Sequence, residues 1–262
     1  MAREEAEEDD VVCLDESFFI NDNYQLTTFT FGSQVLELLC LHSASTDFDL
    51  TGQLVWPGAM LLNDYLSKNP EMLRGCSVIE FGSGVGVTGI LCSRFCHEIV
   101  LTDHNEEVLK ASSRDLVSVF KHLMNCILIL QKNIELHESS ESSKTCTGLV
   151  AQKLEWGNFD QLQQILQRHV GGFDLVLGAD IYILIDLMSF NIPLLFDTAE
   201  KLLRIREKGK CKFILAYVSR AKTMDEMVIG EAVQHGLQIN EIAGTRSVIG
   251  YHEGVIYEII LQ

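Results

Sequence analysis

Short apolar runs alternate with longer amphipathic stretches through most of the chain. Ser77–Phe81, Glu98–Thr102, Gly148–Leu154, Asp174–Gly178 and Lys212–Val218 read as buried strands. Between them lie helical patterns near Val87–Phe95, Asn105–Leu136, Asp160–Val170 and Pro193–Ile205. Short apolar strands separated by helices predict a parallel sheet covered on both faces. After Val218 the rhythm changes. A helix over Lys222–His235 is followed by Leu237–Ile242 and Val255–Leu261, joined by a glycine-rich loop too short for a crossover helix. That pair is expected to be antiparallel, so a mostly parallel sheet ends on a reversed strand.

Ahead of the alternation, Met1–Asp10 is an acidic run, and residues 1–16 are expected to form a disordered tail. Phe18–Ile20 and Tyr24–Phe31, separated by Asn21-Asp22-Asn23, read as a β-hairpin, because Asn and Asp favour turns. Trp56-Pro57-Gly58 then opens a helical pattern carrying Met60, Leu61, Tyr65 and Leu66. Residues 17–75 are thus an N-terminal extension, and residues 17–262 form one α/β domain. Ser139–Gly148 is polar and serine-rich, as a surface loop would be.

Composition narrows the function. The 262 residues are 47% hydrophobic, which excludes a mostly disordered chain. With 20 Lys plus Arg against 37 Asp plus Glu, the net charge is −17. Phosphate contacts need a basic face, so general nucleic-acid binding is not expected. A cationic partner suits this balance, and solubility explains it equally well. The 8 cysteines include no Cys-x-x-Cys pair and fall mostly in apolar stretches, which points to a reducing compartment. Neither a signal peptide nor a membrane span is expected.

The strongest chemical signal is Val78-Ile79-Glu80-Phe81-Gly82-Ser83-Gly84-Val85-Gly86-Val87-Thr88-Gly89. A buried strand feeds a glycine-rich turn and then a helix, so the backbone can turn tightly and let a ligand approach. Gly84, Gly86 and Gly89 satisfy the dinucleotide fingerprint, with Asp103 about 20 residues further on. Glu80 followed by Gly82, Gly84 and Gly86 equally has the acidic-x-Gly-x-Gly-x-Gly form of S-adenosylmethionine methyltransferases. An acidic residue at the strand tip suits a cationic sulfonium and is unhelpful against a pyrophosphate. A nicotinamide fold also tends to open its chain, whereas this strand begins at Ser77. S-adenosylmethionine is the cofactor expected. Asp103, at the end of the second strand, would accept the ribose hydroxyls; otherwise it caps the helix beginning near Asn105.

Taken in order, Trp56-Pro57, the Glu80–Gly86 loop, Thr102-Asp103-His104-Asn105, Asn133-Ile134-Glu135-Leu136-His137, Leu154-Glu155-Trp156-Gly157 and Gly178-Ala179-Asp180 carry a family likeness. From Phe18 onward the chain resembles the METTL21-type lysine methyltransferases of methyltransferase family 16. The resemblance implies a Rossmann-like, seven-stranded class I methyltransferase sheet with the hairpin appended. It implies methylation of lysines in non-histone proteins such as chaperones or elongation factors; a monomer is expected, in the cytoplasm first and the nucleus as an additional location. It also implies that Trp56, Gly82, Ser83, Gly84, Asp103, Trp156 and Ala179 contact S-adenosylmethionine, with Trp156 on the adenine and Trp56 near the methionine end.

The family's catalytic signature is Asp-x-x-Tyr, and here Asp180-Ile181-Tyr182 brings the tyrosine one residue early. In extended chain such a slip turns the side chain to the other face. By resemblance Asp180 would hold the incoming amine and Tyr182 would wall a cationic product. Residues 111–130 exceed the family's usual length and lack clean helical amphipathicity, so they read as an insertion. Exposed, that apolar stretch would promote aggregation, and its deletion is expected to raise soluble yield. The displaced tyrosine keeps a histidine, arginine or small-molecule acceptor open, and the insertion keeps a non-catalytic interaction module open. No metal site is expected: Cys92, Cys96 and His97 fall on one helix without a second ligand pair.

Overall fold

The computed structural model describes residues 24–41, 54–104, 125–140, 146–181, 191–207 and 209–262. The two hairpin strands are β1 (Tyr24–Phe31) and β2 (Gln34–Leu41). They turn at Gly32-Ser33, with Gly32 at φ 57°. The hairpin therefore lies one strand later than expected. A two-residue turn needs a left-handed position, which glycine supplies without strain. The Phe18–Ile20 arm and its Asn-Asp-Asn turn lie outside the described residues.

The main sheet contains β3 (Ser77–Phe81), β4 (Glu98–Asp103), β5 (Gly148–Lys153), β6 (Leu175–Ala179) and β7 (Lys212–Val218), all parallel. It is completed by β8 (Leu237–Glu241), β9 (Ser247–Ile249) and β10 (His252–Leu261). The order is β5-β4-β3-β6-β7-β10-β8, with β10 antiparallel to both neighbours, as the reversed ending predicts. The short β9 is an addition, formed from the glycine-rich loop and paired with β10 alone. Consecutive side chains on a strand face opposite ways, so each interior strand feeds two cores. Val78, Leu175, Leu177, Ile214 and Ala216 join one core; Ile79, Phe81, Val176, Phe213 and Leu215 join the other.

Helices α1 (Pro57–Lys68) and α2 (Val87–Ser93) share the first core with the hairpin residues Leu36 and Leu38. Arg94, just past α2, pins the hairpin through Gln34 and the Val35 carbonyl, both at 2.9 Å. On the opposite face lie α4 (Phe159–Arg168), α5 (Asn191–Ile205) and α6 (Lys222–Gln234). The Asn158 side chain caps α4 by accepting from the Gln161 amide.

The remaining helix, α3 (Asn125–Ser140), lies against β2 and β5. It extends four residues beyond the helical stretch read from sequence and takes in Ser139 and Ser140. It also contains the last residues of the expected insertion. Ile129 and Leu130 are buried, Leu130 with Leu101 and Ile134. That end is core rather than exposed apolar surface, so deleting the whole of 111–130 would open a hole beside β4. Residues 105–124 lie outside the description.

Candidate functional site

The strand order reverses direction between β3 and β6, and loops leaving the two strands there part to opposite faces. In open α/β sheets this switch point, at the strands' C-terminal ends, is where ligands bind. Every sequence-selected site residue that the structure describes lies at this end of the sheet.

The loop after β3 carries Gly82, Gly84 and Gly86 at φ 59°, 52° and 87°. A side chain at Gly82 would meet Ile181 at 2.8 Å and the Trp156 ring at 3.9 Å. The loop is knitted to β4: the Ser83 amide donates to the Thr102 carbonyl at 2.9 Å. The Gly84 amide donates to Asp103 Oδ2 at 2.7 Å. Asp103 Oδ1 accepts the His104 amide at 2.8 Å. A carboxylate has about four lone-pair sites, so Asp103 retains acceptor capacity. The exposed His104 ring stands 3.2 Å from the same carboxylate. The loop's end is fixed from another quarter. Asn133, fully buried on α3, donates to the Val85 carbonyl at 2.8 Å and the Leu39 carbonyl at 3.0 Å, and accepts the Leu39 amide at 2.8 Å. One side-chain amide therefore ties the glycine loop to the hairpin.

Glu80 differs from expectation. Its side chain turns under the loop, where Oε2 accepts the Gly89 amide at 3.1 Å. Burial pushes its pKa up to about 8, against hydrogen bonds from Ser83, Thr88 and the Gly89 amide. Burial thus favours its protonated form, and its side chain bonds within the loop rather than standing at the cleft surface. It thereby satisfies one of the amides in the first turn of α2.

Across the cleft, Ala179 ends β6 and Asp180 follows in the left-handed region at φ 48°, a conformation Asp tolerates better than most residues. Asp180 Oδ2 accepts the Gly58 amide, in the first turn of α1, at 2.6 Å and faces Arg220 at 3.5 Å. Burial raises its pKa, while Gly58, Arg220 and the Val218 amide hold it down. Glycine at 58 gives this carboxylate its place, because a Cβ there would stand 2.7 Å from Asp180 Cγ and displace it. Arg220 also lies over the Trp56 ring, 5.3 Å from its centroid. Asp180 Oδ2 is thus committed within the protein, which narrows the direct hold of an amine first expected of this carboxylate. Tyr182 lies outside the described residues.

Trp156 sits on the loop after β5, which is tied to β4 by the Leu154 amide donating to the Asp103 carbonyl at 2.9 Å. It packs on the same core as Phe81 and Ile181. Sequence reasoning missed the roles of Gly58, Asn133 and Arg220. For Arg220 a signal existed: a cation placed immediately beyond an apolar strand, at the end of the sheet where the other site residues gather.

The sheet order and the glycine loop define the class I methyltransferase fold. The structure of the Thermus thermophilus 16S rRNA N2 G1207 methyltransferase, in complex with AdoMet and guanosine, matches 92% of this chain and 52% of its own, with TM-score 0.55 and 14% identity. Within that fold, the lysine methyltransferase family matches residues 39–228, and the chain belongs to that family. The mouse protein N-lysine methyltransferase METTL21A is 27% identical over 165 residues, 62% of this chain and 60% of the relative. The EEF1A lysine methyltransferase 3 of Xenopus tropicalis is 30% identical over 149 residues, 56% of this chain and 51% of the relative. The matches span from about a fifth to two thirds of the relatives' own lengths.

Proposed function

We propose that the protein transfers a methyl group from S-adenosylmethionine to a lysine amine of a protein substrate. The observation that carries this reading is the Gly82–Gly86 loop at the switch point, held open by left-handed glycines and joined to Asp103 through the Gly84 amide. The residues present fit the cofactor. Gly82, Ser83 and Gly84 would give it close backbone approach, and Asp103 would accept its ribose hydroxyls. Trp156, beside Gly82, would offer a flat face to adenine. Trp56 and Ala179 would flank the methionine end.

When bound, the cofactor supplies an electrophilic methyl group. The rest is alignment and exclusion of water by the chain. A lysine ammonium, with a reference pKa of about 10.4, has no lone pair and must first lose its proton. Burial of the lip and the Arg220 cation would oppose the charged ammonium, an ionised Asp180 would favour it, and the carboxylate would orient the amine while Gly58 and Arg220 hold Oδ2. Tyr182 would wall the cationic product.

The net charge of −17 would draw basic protein segments, and an elongation factor or chaperone is the class of partner proposed. The protein would act as a monomer in the cytoplasm and nucleus. No helix among the described residues is long and apolar enough to cross a membrane.

The test is calorimetric titration of S-adenosylhomocysteine into wild type and Asp103→Ala, followed by labelled S-adenosylmethionine with cell lysate and analysis of the labelled amino acid. Micromolar binding lost in the variant, with label on lysine, is expected. A folded wild type that does not bind overturns the cofactor site. Label on histidine or arginine overturns the acceptor.

A further inference from the structure

Away from the cleft, two cysteines meet where β4 and β5 begin. The parallel register pairs Glu98 with Gly148, and the Thr147 amide donates to the His97 carbonyl at 2.7 Å. One residue further back along both segments stand Cys96 and Cys146. The paired strands that start two residues further on run about 4.8 Å apart, and a disulfide spans a Cα separation of about 4.4–6.8 Å. Cys96 belongs to the core cluster beneath this end of the sheet, Cys146 packs against that same cluster, and the Cys146 thiol donates to the Gly148 carbonyl at 3.1 Å. Cys96 is fully buried, whereas Cys146 is partly exposed.

The pair is chemically unequal. The Cys96 thiol, foremost, and the Gly148 and Ile99 amides hold Cys146 below the ordinary thiol range, against burial and the Glu98 charge. Cys96 is pushed up by its bond to Cys146 and by burial. Cys92, the preceding cysteine on α2, is pushed well up by burial and remains a packed thiol. A partly exposed, acidified cysteine beside a second thiol is the arrangement of peroxide-sensitive sites.

We propose that Cys146 and Cys96 form an oxidisable pair, in which hydrogen peroxide attacks Cys146 first and Cys96 resolves the product to a disulfide. The Cys146 thiolate attacks one peroxide oxygen. The O–O bond breaks, and the departing hydroxide takes a proton to become water, leaving Cys146 as a sulfenic acid. The Cys96 sulfur then attacks the Cys146 sulfur and gives up its thiol proton. The S–O bond breaks, and a second water leaves. Two thiols are oxidised and one peroxide is reduced to two waters. This inference rests on neither the cofactor nor the substrate.

The experiment treats the full chain with one equivalent of hydrogen peroxide, alkylates the remaining thiols and maps peptides by mass spectrometry. Loss of two alkylatable thiols, with Cys96–Cys146 as the predominant cross-link, is expected. Cys96→Ser should leave Cys146 as a sulfenic acid trapped by dimedone, and Cys146→Ser should abolish both cross-link and trapping. A predominant cross-link to Cys92 overturns the proposal, as does Cys146 oxidising no faster than the other cysteines. The wild-type map needs no variant, so the proposal stays testable even if Cys96→Ser fails to fold.

Discussion

The two walls of the cleft hold their carboxyl groups in different ways. On the glycine-loop side, Glu80 and Asp103 bond to amides within the same strand–loop–helix–strand unit, Gly89 and Gly84. On the lip side, Asp180 is held by Gly58 from the extension and Arg220 from beyond β7. The first wall's carboxyl groups are held by local chain, and the Asn133 bridge from α3 adds a distant anchor at the loop's end. The second depends on three separate segments meeting around a charged group at the mouth of the cleft. A wall of the first kind fixes a cofactor; a wall of the second kind can be reshaped by changing any of its contributors.

The comparison is broken most severely by Gly89→Ala. Its new Cβ would stand 1.7 Å from Leu101 Cδ2 and 2.9 Å from Glu80 Oε2, so the local wall cannot form. Urea unfolding should show a loss of more than about 3 kcal/mol, or no folded protein. Asn133→Ala should come next. It leaves the buried Val85 and Leu39 groups without partners, at about 2–4 kcal/mol in the same assay. S-adenosylhomocysteine affinity should fall as well, since the loop loses its anchor.

A pH series sharpens the difference between the two walls. The pKa of Glu80 rises from 4.5 to about 8 on folding, so the folded protein keeps a proton that the unfolded chain releases. Its contribution is complete below pH 4.5 and fades as pH climbs towards 8, by an amount on the order of a few kcal/mol. Glu80→Gln keeps an acceptor for Gly89 and cannot ionise, so its Tm should fall less than wild type's between pH 5 and pH 9, values chosen to bracket about this window.

The smallest change in stability is expected of Asp180→Asn. Asparagine tolerates the left-handed backbone and still accepts from Gly58, so thermal unfolding should shift by the equivalent of about 1 kcal/mol or less. If the proposed transfer is right, turnover should drop far more than stability. A parallel fall in both would make Asp180 a strut alone.

The difference between the walls also decides what the sequence disclosed. The glycines, the strand and Asp103 fall within one short stretch, Ser77–Asp103, whose pattern constrains its own geometry. The mostly parallel sheet with its reversed end was legible for a similar reason, since its main strands announce themselves by periodicity, whereas the order β5-β4-β3-β6-β7-β10-β8 came from the structure. Gly58 and Asp180 are 122 positions apart, and their contact is set by how α1 lies across the ends of β6 and β7. No local pattern reports that. Asn133 belonged to a recognised motif, but its partners lie 94 and 48 positions away, so its role emerged only from the packing of α3. The direction of Glu80 was missed because charge type was read without burial, which favours the protonated form.

The Asn133 bridge bears on where this molecule can be divided. A fragment cut before Ser77 would retain every letter of the glycine motif. It would nonetheless lose Leu39, which shares Asn133 with the loop, and Gly58, which holds Asp180. The hairpin and α1 are therefore not an accessory module joined to a self-sufficient core. Any chimera that exchanges the extension between relatives exchanges part of the cleft's framework with it.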